Sequence, residues 1–144
     1  MNKISLIVAT LLFISCTTTK STFVKTNLLD NSTFELNEIS NDPTYGFSEK
    51  NPIQVGGVAD NEGPLNERRY LNALAGPNGE AVTYFRAGSC CPIKSNSNPF
   101  GGNTVMLDNY RVTWEGSKDT VSIYINMYDS GELKAPKGFT IKNK

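Results

Sequence analysis

Residues 110–128 read YRVTWEGSKDTVSIYINMY. Tyr110, Val112 and Trp114 alternate with Arg111, Thr113 and Glu115. Val121, Ile123, Ile125 and Met127 then alternate with Ser122, Tyr124, Asn126 and Tyr128. A period of two is the signature of a strand with one buried face. Gly116-Ser117-Lys118-Asp119 between the runs is turn chemistry, so the stretch predicts an antiparallel hairpin. If a helix covers its apolar face, Tyr124 and Tyr128 fall on the other, exposed side.

Upstream, Val105 and Leu107 have the opposite parity from Tyr110, which a bulge near Asp108-Asn109 would reconcile. Gly88 to Asn103 reads as the longest irregular stretch, with Cys90-Cys91-Pro92 and Pro99-Phe100-Gly101-Gly102 inside it. Ala81 to Ala87 reads as a strand after the Asn78-Gly79 turn. The one convincing helix opens at Gly63-Pro64, since proline suits the first helical position. Glu62 and Glu67 lie near its positive end. Leu65, Tyr70, Leu71, Leu74 and Ala75 share a face, and Gly76-Pro77 is expected to stop the helix through a left-handed glycine cap. Ile53-Gln54-Val55, the alternation around Phe34 and Leu36, and Phe139 with Ile141 suggest short strands. Strands, one helix, then more strands predict an α+β fold: an antiparallel sheet with one main helix packed on one face.

The chain has 144 residues, 38% hydrophobic and 19% charged, which supports one folded domain. Fourteen Lys and Arg balance fourteen Asp and Glu. No basic excess is left to neutralise phosphates, so nucleic acid is not the expected partner. There is no histidine. A Ser-His-Asp triad, a Cys-His pair and a His-ligated metal are therefore excluded. No cofactor is expected.

Ile4 to Ile14 is an apolar run of signal-peptide length after Met1-Asn2-Lys3, too short for a spanning helix of about 20 residues. It ends in Leu12-Phe13-Ile14-Ser15-Cys16, which resembles the lipobox of bacterial lipoproteins. The resemblance implies a diacylglyceryl group on the Cys16 sulfur, cleavage before Cys16, and acylation of the new amine. Phe13 stands where that family usually has an aliphatic residue. Thr17, in place of the aspartate that retains enterobacterial lipoproteins at the inner membrane, implies the outer membrane. The expected organisation is a signal peptide over 1–15, a lipidated cysteine and Ser/Thr-rich tether over 16–27, and one domain over 28–144. The implied setting is the periplasm, with the membrane reached through the N-terminal lipid anchor.

Several segments together resemble a family of short lipoproteins from Gram-negative bacteria. They are Tyr45-Gly46-Phe47, the run from Arg69 to Gly79 (RYLNALAGPNG), Ser89-Cys90-Cys91-Pro92, Val112 to Gly116 (VTWEG) and Tyr124 to Tyr128 (YINMY). The resemblance covers most of residues 44–141 and implies lipid anchoring. Members sometimes carry the label 2-dehydro-3-deoxyphosphooctonate aldolase. That activity resides in a (β/α)8 barrel of roughly 250 residues, and this chain lacks the length and the strand–helix alternation of a barrel. The resemblance carries over no catalytic residue.

Cys90 and Cys91 are adjacent, so no CxxC motif exists. In an oxidising compartment they form a vicinal disulfide, stay as thiols or pair with another molecule. Pro92 biases Cys91 away from the α region. Asp108, Glu115, Asp129 and Glu132 are the acids available for acid–base work near the C-terminal strands. Arg68 and Arg69 are an anion grip or a solvated face. Tyr124 and Tyr128 suggest a surface for an envelope protein or a glycan. The function expected is a lipid-anchored periplasmic module with a binding or structural role. The alternative is a small envelope enzyme using carboxylates or the cysteine pair.

Overall fold

The computed structural model describes residues 26–142. The signal-like run, Cys16 and most of the tether lie outside them. Among the described residues the fold is mixed α+β, mostly strand, with one α-helix. The strands are β1 (Leu28–Asp30), β2 (Thr33–Phe34), β3 (Ile53–Gln54), β4 (Leu74–Ala75), β5 (Val82–Lys94), β6 (Thr104–Trp114), β7 (Val121–Asn126) and β8 (Thr140–Ile141). The helix α1 covers Gly63–Asn72, just after a 3-10 turn at Val58–Asp60.

The predicted hairpin is β6–β7, paired antiparallel from Val112 opposite Val121 to Asp108 opposite Ile125. Gly116 makes the turn at φ +82°, which glycine adopts at no steric cost. The main sheet runs β3-β7-β6-β5. It is not wholly antiparallel, because β3 joins β7 in parallel, with Ile53 opposite Ile125. Two small antiparallel pairs, β1–β2 and β4–β8, complete the sheets.

One core holds the molecule together. Tyr110, Val112, Ile123 and Ile125 of the sheet are buried with Tyr70 and Leu71 of α1, and with Phe34, Ile53 and Phe139. Helix and sheet are also joined by hydrogen bonds, because Tyr84 Oη donates to Asn72 Oδ1 at 2.7 Å. The Tyr70 hydroxyl, wholly buried, donates to the Lys134 carbonyl at 2.7 Å, which satisfies a group that would otherwise lose its water partner.

Three local expectations are corrected. The helix ends at Asn72, and Leu74–Ala75 is strand, not helix. These two residues pair with Ile141 and Thr140, and the Lys142 N–H reaches the Ala73 carbonyl at 2.9 Å. The chain terminus thus satisfies backbone groups that a further helical turn would have used, and tertiary pairing overrides propensity. Gly76 is not a left-handed cap; a Cβ there would meet Trp114 Cγ at 2.9 Å, so its role is close approach. The second correction concerns 88–103. Strand β5 continues to Lys94, and only 95–103 is loop. The breakers are absorbed by two register shifts, at Ala87 and at Cys91, and Pro92 is tolerated because β5 is an edge strand.

The third correction is the parity of Val105 and Leu107. The bulges sit in β5, while β6 pairs with β7 without interruption through 108–112. Val105 and Leu107 therefore stay on the face opposite Tyr110, yet both are buried. The end of the β5–β6 ribbon is fastened there, because Ser95 Oγ and Ser97 Oγ each donate to Asp129 Oδ1 at 2.8 Å.

Candidate functional site

The strand registers divide the sheet into two faces. Arg86, Tyr110 and Ile123 line up on the face toward α1. On the other face Phe85 stands opposite Arg111, and Arg111 opposite Ser122, in one row across three strands. Tyr124, opposite Asn109, heads the next row. Phe85 is 59% exposed, large for a phenylalanine on a regular strand. Arg111 Nη1 donates to Ser122 Oγ at 2.6 Å, which ties the guanidinium to the neighbouring strand. The outer face therefore offers two aromatic rings around a fixed cation and a hydroxyl.

Tyr124 is half-buried, not fully exposed, because the 44–47 segment runs alongside and the Tyr124 N–H donates to the Gly46 carbonyl at 2.9 Å. Tyr128 lies past the end of β7, also half-buried, with its N–H held by Asn126 Oδ1 at 2.8 Å. The arginines are not a pair. Arg68 is exposed, whereas Arg69 folds inward to Glu62 Oε2 at 2.8 Å, Asn66 Oδ1 at 2.9 Å and the Asn31 carbonyl at 3.1 Å. Adjacent helix residues point about 100° apart, so Arg69 is committed internally and the anion grip is not formed.

The acids also separate. Glu115 and Glu132 are exposed, and Asp129 is occupied by Ser95, Ser97 and Asn126. Asp108 is buried and takes a bidentate grip from Arg86, Nε at 2.6 Å and Nη2 at 2.7 Å. Ser89 Oγ adds a hydrogen bond at 2.9 Å. Beside Asp108 lies Glu67 of α1, 1% exposed, whose Oε2 accepts from the Tyr110 hydroxyl at 2.9 Å. Burial, then the Asp108 charge, push the Glu67 carboxyl up to about 7. Burial, then Glu67, raise the Tyr110 phenol well above its ordinary value.

Sequence reasoning placed Glu67 at the helix dipole and missed this cluster. The available signal was its spacing: Glu67 lies three residues before Tyr70 and four before Leu71, on the buried face. The cluster lines neither of two open depressions, of about 190 Å³ beside Tyr45, Asn51 and Gln54 and about 230 Å³ beside Glu35, Asn37 and Leu133. Among the described residues no group of three metal-ligating side chains is brought together.

Cys90 and Cys91 are joined as a vicinal disulfide, with Cα atoms 3.7 Å apart. They sit inside β5 at its second bulge, not in a loop. Cys91 has φ +57°, a left-handed conformation uncommon outside glycine and away from the extended region that a following proline favours. A Cys16→Ala chain, denatured without reductant, should show no free thiol and an intact mass two hydrogens below the reduced form. Two titratable thiols in protein alkylated at harvest would refute the bond.

A scan against protein-family models, a search of curated proteins and a search of solved structures each find no match.

Proposed function

We propose that the chain is a lipid-anchored module of the bacterial envelope that acts by binding an envelope protein or a glycan. The observation that carries the binding role is the outer sheet face, where Phe85, Arg111, Ser122 and Tyr124 converge on the side away from α1. Aromatic rings offer flat apolar contact, and the guanidinium and hydroxyl offer directed hydrogen bonds, a combination suited to sugars and to polar peptide surfaces. The anchoring role rests on the apolar run ending in Ser15-Cys16 and on the resemblance to short Gram-negative lipoproteins. In this reading, acyl chains on Cys16 hold the domain at the periplasmic side of the outer membrane. The enzyme alternative has less support, because Glu67 and Asp108 are closed off at 1% and 5% exposure and line neither of the two depressions.

Two measurements test the proposal. Cys16→Ala should abolish acyl mass and leave the signal uncut; a wild-type protein with no acyl mass, starting elsewhere than Cys16, would remove the anchor. A photoreactive residue replacing Phe85 should cross-link to an envelope component in intact cells, and Arg111→Ala should weaken that cross-link severalfold. Equal cross-linking from Lys118, in the β6–β7 turn, would mean that the outer face has no special role.

A further inference from the structure

Glu67 carries a feature that packing alone does not explain. Its Oε2 is satisfied by Tyr110, but its Oε1 is buried with no hydrogen-bond partner. A buried carboxylate oxygen without a donor costs as much as a lost charged hydrogen bond. Two carboxylates, Glu67 and Asp108, face one guanidinium, that of Arg86, so full ionisation would leave a net negative charge inside the protein. Arg86 and Ser89 direct their donors at Asp108 and none at Glu67. The donor set thus fixes Asp108 as the ionised member and leaves Glu67 as the member that needs a hydrogen.

We propose that Glu67 and Asp108 form a proton-binding site, with one proton on Glu67 Oε1 donated to the Asp108 carboxylate. The same hydrogen satisfies the orphan oxygen and cancels the excess charge. The groups facing Glu67 are Asp108 and Tyr110 from β6 and Arg86 from β5. Of the other elements packed on α1, β2 (Thr33, Phe34) and β4 (Leu74, Ala75) carry no charge, and the 3-10 turn carries one acid, Asp60, which is exposed to solvent. With the proton bound, α1 is clasped to β6. With it lost, like charges oppose each other across the contact between helix and sheet, and the site responds to pH in the neutral range.

Infrared difference spectroscopy of the full chain in detergent micelles, titrated from about pH 5 to pH 9, tests the site. Exposed carboxyls are ionised by about pH 6. The wild type should still show the C=O stretch of one protonated carboxylic acid there, lost with a midpoint of about 7. The band should be absent in Glu67→Gln. In Asp108→Asn, which removes the neighbouring charge, the midpoint should fall by a pH unit or more. No protonated band in the wild type, a band that survives in Glu67→Gln, or an unmoved midpoint in Asp108→Asn would each overturn the proposal. Should Asp108→Asn not fold, the comparison of wild type with Glu67→Gln decides alone.

Discussion

Glu67→Gln should make the protein more stable than wild type at pH 8 and leave it nearly unchanged at pH 4. The direction follows from proton linkage. The folded protein holds the Glu67 proton more tightly, at about 7 against an ordinary value of 4.5. The stability Glu67 contributes is therefore complete below about pH 4.5 and is lost as pH rises through about 7. At roughly 1.4 kcal/mol per unit, the loss across that window is on the order of 3 kcal/mol. Glutamine mimics the protonated acid: its amide donates toward Asp108 while its carbonyl accepts from Tyr110. The variant should thus keep its stability through the window. Asp30, Asp42 and Glu80 work in the opposite sense, because local hydrogen bonds lower their pKa values. Their contributions fade as pH falls through the acid range, below the Glu67 window. Thermal unfolding at a series of pH values checks the expectation. Parallel curves for wild type and variant would show that Glu67 titrates alike in the folded and unfolded chains.

Ile125→Ala should destabilise the fold by about 3 kcal/mol, within the range for an aliphatic core truncation. Ile125 is wholly buried, and it stands between Asp108 of β6 and Ile53 of β3. Its removal opens a cavity at the place where the only parallel pairing of the main sheet is made. Lys118→Ala, in the exposed turn, should change stability by less than about 0.5 kcal/mol. Denaturant unfolding of the two variants should give a lower midpoint for Ile125→Ala with an unchanged slope. A cost under about 1 kcal/mol would mean that the sheet relaxes around the missing side chain.

Ile125 also shows how far the sequence can be read. Its place on a buried strand face follows from alternation alone, and the hairpin with β6 follows from Gly116. Its parallel neighbour Ile53 does not, because a two-residue strand has no period and parallel pairing leaves no local mark. The same limit hid β4, whose Leu74 and Ala75 fit a helical face until the distant Ile141 competes for them. Gly88 and Pro92 read as breakers because bulges, which let a strand pass through them, are set by the partner strand. In the candidate site, Tyr124 and Arg111 were placed by parity. Glu67 and Arg86 were not, since charge in sequence gives no sign of burial. Arg69 misled for the converse reason: its partners Glu62, Asn66 and Asn31 are assembled only by the fold.

Among the described residues, strand β5 forms an edge of the main sheet, and its outer rim is a row of backbone groups with no strand partner. Unshielded rims of this kind invite copies to zip together into aggregates. Here the straight part spans only 82–86 before the register shift at Ala87, a second shift follows at Cys91, and Pro92 has no N–H to give. The cross-linked cysteines hold the second kink in place. Two copies meeting rim to rim could match about five residues before falling out of step, shorter than the segments of about six or seven residues that typically stack into fibrils. A domain at high local concentration would then stay separate from its neighbours by the shape of one strand.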